Sequence, residues 1–129
     1  MENQLVAHFL DGRLIKGASM DVSPSRSVCH ITTPEGEIVR VVLTELKALF
    51  FVRDLAGNPE YRETKGIEPS DPRTRSAKVL EIHFRDGEVL MALSAGYSDD
   101  RPFFFVNPAD PKSNATRILV NRAAVVSVK

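Results

Sequence analysis

The sequence of 129 residues lacks several features that mark familiar protein classes. It has no tryptophan. Its single cysteine, Cys29, cannot form an intramolecular disulfide, which is consistent with a protein of a reducing compartment. Its 17 basic and 17 acidic side chains cancel, so no global field attracts nucleic acid or a membrane surface. Neither a membrane-length apolar run nor a signal-peptide pattern occurs, so we expect a cytoplasmic protein with no membrane partner.

Sequence signatures of enzymes and metal sites are also missing. There is no G-x-S-x-G, no P-loop and no G-x-G-x-x-G. Neither H-x-x-x-H nor C-x-x-C occurs, and adjacent Cys29 and His30 would face opposite sides of a strand. The apolar run around Cys29 is typical of a buried, unreactive thiol. We therefore expect no enzyme, no metal site and no cofactor.

What the chain does contain is an internal repeat. Shifted by 75 positions, residues 5–28 align with residues 80–103 and share eight identities. The identical pairs are Leu5/Leu80, His8/His83, Phe9/Phe84, Asp11/Asp86, Gly12/Gly87, Ser19/Ser94, Ser23/Ser98 and Arg26/Arg101. This number exceeds what a chance alignment gives, which indicates a duplicated unit of about 50 residues.

Each copy has the pattern of short β-strands. Apolar Leu80, Ile82 and Phe84 alternate with polar residues, as in a half-buried strand. The Asp-Gly pairs at 11–12 and 86–87 predict hairpin tips with two-residue type I′ turns, because Asp and Gly tolerate positive φ. A second apolar run follows each tip. Further predicted strands are 27–32, 38–43 and 44–52 in the first copy, and 103–107, 116–120 and 121–128 in the second.

The strand order predicts an all-β fold of two tandem five-stranded small barrels, SH3-like or Sm-like, related by internal duplication and packed into one globule. The first repeat spans 1–53, a linker spans 54–78, and the second repeat spans 79–129. The linker has no hydrophobic periodicity and is longer than most loops. Leu55 and Tyr61 are the residues expected to fix part of it to the repeats.

Two stretches of the second copy resemble the Sm family. "HFRDGEVLMALSAGYS" (83–98) is similar to that family's first motif, and "VNRAAVVSV" (120–128) is similar to its closing motif. The chain has no Gly after Arg122, and Ser98-Asp99-Asp100 stands where the family has its uridine-binding loop, so RNA binding is not implied.

The chain as a whole resembles an uncharacterised bacterial family. The resemblance is carried by "LKALFFVRDLAGNPEYRE" (46–63) and by the DG…SPSR element of the first copy. Members of that family occur alone or beside PilZ and response-regulator modules. The resemblance implies a regulatory setting but no particular activity.

Six polar residues are candidates for ligand binding: Asp21, Ser23, Arg26, Arg73, Arg75 and Arg101. Asp21 and Ser23 resemble the start of the [DN]-x-S-x-x-G motif with which PilZ domains bind cyclic di-GMP. Arg26 replaces the glycine of that motif, and no R-x-x-x-R is present. The alternatives are a hydrogen-bonded turn at 21–26 and loop-fixing ion pairs of Arg101 with Asp99 or Asp100. A ligand would lie between the copies, beside loops 21–26 and 96–102.

Four residues are candidates for an interface: Val6, His8, Leu10 and His83. The outer face of the first strand is apolar in the first copy only, where Val6 and Leu10 stand in place of Glu81 and Arg85. The other copy, the linker or a second molecule is expected to cover it. The two histidines either cover strand surfaces or meet between the copies.

We therefore expect a non-catalytic binding or interaction module in a bacterial regulatory setting, with a protein partner or self-association favoured. A PilZ-like nucleotide-binding module with a cyclic dinucleotide ligand is the first alternative. The second is an Sm-like domain that binds RNA or DNA, in which the aromatic run 103–105 stacks on bases. Because no basic stripe surrounds that run, we expect it instead to fill the core of the second copy and its contact with the first.

Overall fold

The computed structural model describes residues 3–57, 60–61, 66–98 and 100–129. The described chain contains ten β-strands and three short 3-10 turns. The strands are β1 (Asn3–Phe9), β2 (Leu14–Ser19), β3 (Val28–Thr32), β4 (Ile38–Val42), β5 (Leu46–Val52), β6 (Lys78–Phe84), β7 (Val89–Ser94), β8 (Phe103–Pro108), β9 (Ala115–Asn121) and β10 (Val125–Val128). The 3-10 turns are Leu43–Glu45, Pro72–Arg75 and Arg122–Ala124. Within these ranges, no helix has the length and apolar character needed to cross a membrane.

All ten strands join into one open sheet in the order β10-β6-β7-β8-β9-β5-β1-β2-β3-β4. We call β1–β5 the N-terminal half and β6–β10 the C-terminal half. In each half the fifth strand pairs with the first, and a 3-10 turn precedes the fifth strand. The predicted all-β class is confirmed, in the form of one continuous sheet.

The hairpins differ from the prediction in their turn type. The N–H of Gly12 donates to the carbonyl oxygen of Phe9, and the N–H of Phe9 donates to that of Arg13, so the loop has three residues. Gly12 has a φ of 93° and Gly87, in the equivalent hairpin, has 94°. No described non-glycine residue has positive φ. The prediction of two-residue type I′ turns was wrong, because that turn needs positive φ at two positions and each tip supplies one glycine. The loops are instead type I turns closed by a glycine bulge.

Buried side chains of the sheet form two hydrophobic cores, one in each half. Each core also contains a residue from the other half. Leu119 of β9 packs in the core of the N-terminal half, whereas Ala48 of β5 packs in that of the C-terminal half. The aromatic run divides in the same way. Phe104 is buried in the second core, while Phe103 and Phe105 pack against the first. The prediction that this run fills the core is confirmed.

Pairing between β5 and β9 connects the halves, and we call it the central joint. Leu49 lies opposite Leu119 in its antiparallel register. The buried Asn121 amide donates from Nδ2 to the carbonyl oxygen of Leu46 at 2.8 Å. Its Oδ1 accepts from the N–H of Ala123 at 3.0 Å and so caps the last 3-10 turn. One side chain therefore both links the halves and starts the turn before β10.

Replacing Asn121 with alanine should destabilise the protein by about 1–3 kcal/mol, because buried backbone groups lose their partners. Urea unfolding followed by circular dichroism measures this loss. Asn107→Ala is the control, since the exposed Asn107 amide makes a bond to the carbonyl of Thr116 at 3.2 Å. The control should change stability by less than about 0.5 kcal/mol. Equal losses in the two variants would contradict a special role for Asn121.

Candidate binding groove between the two halves

A groove of about 760 Å³ lies between the two halves of the chain. Both Asp-Gly hairpins, the central joint and part of the segment between the halves contribute to its lining. Its apolar lining includes Val6, Leu14, Phe50, Val89, Leu90 and Met91. Its volume and apolar character are those of many ligand-binding clefts. We refer to it as the groove.

Strand alternation explains why apolar side chains face the groove. Leu5 and Leu49 point into the first core, so Val6 and Phe50 point to the opposite face of the sheet. The C-terminal half covers part of that face, and Val6 is 8% exposed. Leu10 lies beyond the end of β1 and remains 55% exposed. The apolar outer face seen in the sequence is thus covered at Val6 but not at Leu10.

Hydrogen bonds at the edge of the groove connect the segment between the halves to both halves. Lys16 donates from Nζ to the carbonyl oxygen of Leu55 at 3.1 Å, which fixes the start of the segment between the halves. Tyr61, in the same segment, donates from its hydroxyl to Oδ2 of Asp110 at 2.6 Å. Leu55 and Asp110 both line the groove. These contacts agree with the expectation that Leu55 and Tyr61 fix part of the linker, of which residues 58–59 and 62–65 lie outside the described residues.

His8 supplies a neutral polar group in the groove. Its ring centroid lies 4.3 Å from that of Phe50. Burial, together with the nearby charge of Lys47, lowers the pKa of His8 below its usual value. The imidazole is therefore uncharged at neutral pH and carries one donor and one acceptor nitrogen.

Lys47 clamps β5 to the hairpin of the C-terminal half. Its Nζ lies 2.7 Å from Oδ2 of Asp86, bonds to Glu88 and sits 4.7 Å from the centroid of the Phe84 ring. Burial opposes the charged form, but the hydrogen bonds to Asp86 and Glu88 outweigh it and raise the pKa of Lys47. The lysine thus remains protonated and holds Glu88 at the edge of the groove.

The predicted ligand loop at 21–26 is a hydrogen-bonded turn. Ser23 and Ser25 hydroxyls lie 2.8 Å apart, and the N–H of Arg26 donates to the carbonyl of Ser23 at 3.1 Å. Asp21 accepts from the N–H of His30 at 2.9 Å and contacts Nδ1 of His30 at 2.8 Å. The loop is therefore the hydrogen-bonded turn that the sequence analysis gave as the alternative to a PilZ-type motif. Asp21 connects this turn to β3.

A second cavity, of about 790 Å³, lies beside this turn. Its lining includes Ser19, Met20, Asp21, His30 and Ile38. The polar groups of Asp21, Ser19 and His30 bond to one another there. Because a ligand that used these polar groups would have to break these bonds, the groove is the better candidate for a binding site.

The remaining predicted arginines lie elsewhere. Arg73 donates to Oδ2 of Asp71 at 2.8 Å and to the carbonyl oxygens of Ala109 at 2.6 Å and Pro108 at 3.1 Å. Its guanidinium ties the second 3-10 turn to the end of β8. Among the described lining residues of both cavities there is no Arg26, Arg73, Arg75 or Arg101.

Two further predicted contacts involve Arg101 and His83. The N–H of Arg101 donates to the carbonyl of Ser98 at 3.2 Å. Of its two expected acidic partners, Asp99 lies outside the described residues, and Asp100 accepts a hydrogen bond from the hydroxyl of Ser98. Nε2 of His83 lies 3.5 Å from Oε2 of Glu81, without a hydrogen bond. His8 lines the groove, whereas its sequence counterpart is not among the described lining residues.

Sequence reasoning missed most of the groove. Lys16, Phe50, Asp110 and residues 88–91 line it, yet the sequence singled out none of them as a ligand or interface residue. The available signal was the apolar outer face of β1, which includes Val6. It indicated that a face was covered, without indicating by what.

Reactive groups do not converge in the described part of the chain. Burial, with a smaller contribution from the charge of Asp21, raises the pKa of the Cys29 thiol to about 11, so the thiolate is scarce at neutral pH. Across the described ranges, no three His, Cys, Asp or Glu side chains are grouped as metal donors.

Comparison with known proteins gives one result. A protein-family model described as a family of unknown function, DUF6982, matches residues 1–129. No curated protein and no solved structure gives a significant match.

Stability should depend on pH through Asp21. Hydrogen bonds from the backbone and side chain of His30 lower the pKa of Asp21 to about 2. Because the folded state binds this proton more weakly than the unfolded state, the stabilisation is complete above about pH 4 and disappears as the pH falls toward 2. Asp21→Asn should therefore cost on the order of 1 kcal/mol at pH 7, after allowance for solvent screening, and little near pH 2.

Urea unfolding of wild type and Asp21→Asn between pH 7 and pH 2 checks this dependence. Glu35→Gln, at an exposed carboxylate in the β3–β4 turn, controls for the loss of one negative charge. A stability difference that stays constant over the whole pH range would contradict the assignment to Asp21.

Proposed function

This chain belongs to DUF6982, a family of unknown function, and on that premise we propose that it is a non-catalytic binding module whose groove holds an apolar segment of a partner protein. The observation that carries the proposal is the apolar lining of the groove, which remains partly open although both cores are filled. Leu14 and Val89, one from each half, are both about half exposed there. Apolar side chains left accessible in a concave site gain free energy when a partner covers them.

The charges around the groove favour a polypeptide over a nucleotide. Glu88 and Asp110 place two carboxyl groups in its lining, and Lys16 is the cation among the described lining residues. Phosphate groups would be repelled by the carboxylates, and the arginine fork suited to phosphate and guanine is absent from this lining. A polypeptide instead offers apolar side chains for the floor of the groove.

The absence of catalysis in this proposal is supported by the state of the nucleophile and base candidates. Cys29 is fully buried with a raised pKa, and His30 is bonded to Asp21 rather than directed at a nucleophile. His8 lies in the groove against Phe50. These contacts favour binding over reaction.

We further propose that the two halves are small barrels of SH3-like or Sm-like type that arose by duplication. The eight sequence identities and the equal strand orders of the halves support this. A cytoplasmic location is proposed because the single Cys29 fits a reducing compartment. A bacterial regulatory setting and an association with PilZ modules rest on the sequence resemblance. The nucleic-acid alternative loses support because Phe103–Phe105 pack in the cores. The cyclic dinucleotide alternative loses it because Arg73 is engaged.

A peptide-display selection on the immobilised full chain tests the binding function. It should enrich sequences rich in apolar residues, and calorimetric titration of an enriched peptide should give its Kd. Val89→Lys places a charge in the groove and should weaken that binding at least roughly tenfold. Val79→Lys is the matched control, since Val79 on β6 is 40% exposed, similar to Val89 at 48%, and is absent from the described lining. It should leave Kd within about twofold.

Three outcomes would overturn the proposal. Failure to enrich peptides, or enriched peptides that bind both lysine variants equally, would exclude the groove as the binding site. A thermal shift with cyclic di-GMP that disappears in Arg26→Ala would favour the nucleotide-binding alternative instead.

A further inference from the structure

The ten-stranded sheet ends in two open edges. Among the described residues, β4 pairs with β3 alone and β10 pairs with β6 alone. β4 is the fourth strand of the N-terminal half, and β10 is the fifth strand of the C-terminal half. The central joint, by comparison, pairs a fifth strand, β5, with a fourth strand, β9. The two open edges are therefore the counterparts of the two strands that already pair within the chain.

We propose that β10 of one molecule pairs with β4 of a second copy of this chain and so repeats the central joint between molecules. The counterparts are 79 positions apart, as shown by the 3-10 turns that begin at Leu43 and Arg122. The opposed residues Leu49 and Leu119 of the central joint then correspond to Val128 and Arg40. In the proposed contact, Val128 of one molecule lies opposite Arg40 of the next, in antiparallel strands.

Backbone groups on β4 are oriented for this pairing. At one end of the β3–β4 ladder the N–H of Thr33 donates to the carbonyl oxygen of Glu37. Beyond the other end, the N–H of Leu43 donates to the carbonyl oxygen of Ser27, so both of these pairs are hydrogen-bonded. Opposed residues in an antiparallel ladder alternate between bonded and non-bonded pairs. Arg40, opposite His30, falls on a non-bonded pair, so its N–H and C=O point to the open side.

Backbone groups on β10 match those on β4. Lys129 and Glu81 exchange N–H···O bonds at 3.0 and 3.1 Å. The next pair, Val128 with Ile82, is therefore a non-bonded pair. Val128 directs its N–H and C=O away from β6, toward the open edge. The two residues that the central joint places opposite each other thus both offer unpaired backbone groups.

The side chains of the open edges support the same conclusion. In the central joint, Lys47 contacts the Asp86–Glu88 hairpin and Arg117 stacks on the rings of Phe51 and Phe105. The corresponding residues at the open edges are Val126, 61% exposed, and Ile38, 69% exposed. A strand edge that stays in water usually carries charges that prevent pairing. Apolar residues at these two positions instead favour a covered edge.

The hairpin at residues 10–13 explains what Val126 would contact. Lys47 reaches the C-terminal half's hairpin, so Val126 would reach the corresponding hairpin of a second copy. The counterparts of Asp86 and Glu88 in that hairpin are Asp11 and Arg13, which pair with each other at 2.8 Å. Val126 would therefore lie against the aliphatic stem of Arg13. Leu10, which is 55% exposed, lies in the same hairpin.

Arg40 is the main departure from the central joint, because its counterpart Leu119 is buried in a core. An arginine can lay its aliphatic stem over Val128 and keep its guanidinium in water.

The head-to-tail contact is heterologous, so it continues from molecule to molecule until a ring closes or a filament forms. It does not depend on the groove or on the proposed peptide ligand.

Proline substitutions at the two opposed residues test the proposal. Arg40→Pro and Val128→Pro each remove an N–H that points to the open edge and leave the bonds to β3 and β6 in place. In sedimentation velocity, wild type should increase in mass with concentration up to about 1 mM, while each proline variant stays at the mass of one chain. Arg40→Ala keeps the N–H and should still associate. Circular dichroism and urea unfolding establish that all variants are folded.

Mixing the variants distinguishes this contact from other edge pairings. Arg40→Pro retains an intact β10 and Val128→Pro retains an intact β4, so an equimolar mixture should form a dimer although neither variant associates alone. Three results would overturn the proposal: a wild type that stays monomeric throughout, association of either proline variant alone, or a mixture that remains monomeric. Peptide binding in the groove is measured separately, so its failure leaves this result unaffected.

Discussion

Pairing of β5 with β9 is the contact on which the rest of the structure depends. It turns two five-stranded halves into one sheet and lets each half complete the other's core. Leu119 crosses into the first core and Ala48 into the second, so neither core is built from one half alone. Asn121 adds a buried hydrogen bond across the joint. Because apolar burial is the main favourable term in folding, the halves should stabilise one another.

The groove follows from this pairing. A strand has two faces, and β5 uses one for the first core while the other turns toward the C-terminal half. The hairpins that flank the groove are then held by polar contacts, from Lys47 to Asp86 and from Lys16 to Leu55. These contacts join residues about 40 positions apart in the chain. The candidate binding groove thus results from the way in which the two similar halves join.

Much of the local structure could be predicted from the residues. Alternation correctly identified Leu80, Ile82 and Phe84 as inward-facing, and all three are buried. The Asp-Gly pairs located both hairpins, although the single glycine in each set a different turn type. The surroundings of the candidate ligand residues were harder to predict. Arg73 looked available in the sequence, but it binds carbonyl groups some 35 residues away, and that kind of contact has no local pattern.

The sequence by itself determined where the strands and hairpins lie and which side chains share a face, because alternation and turn chemistry act between neighbouring residues. Only the tertiary structure decided which outer face is covered. Val6 and Leu10 looked alike in the sequence, yet one is buried in the groove and the other remains exposed. Leu10 lies in the hairpin loop beyond the end of β1, whereas Val6 lies on β1, beside the groove between the halves. The halves are joined by the β5–β9 pairing, in which residues about 70 positions apart meet. A contact over that separation leaves no periodic signal in the chain.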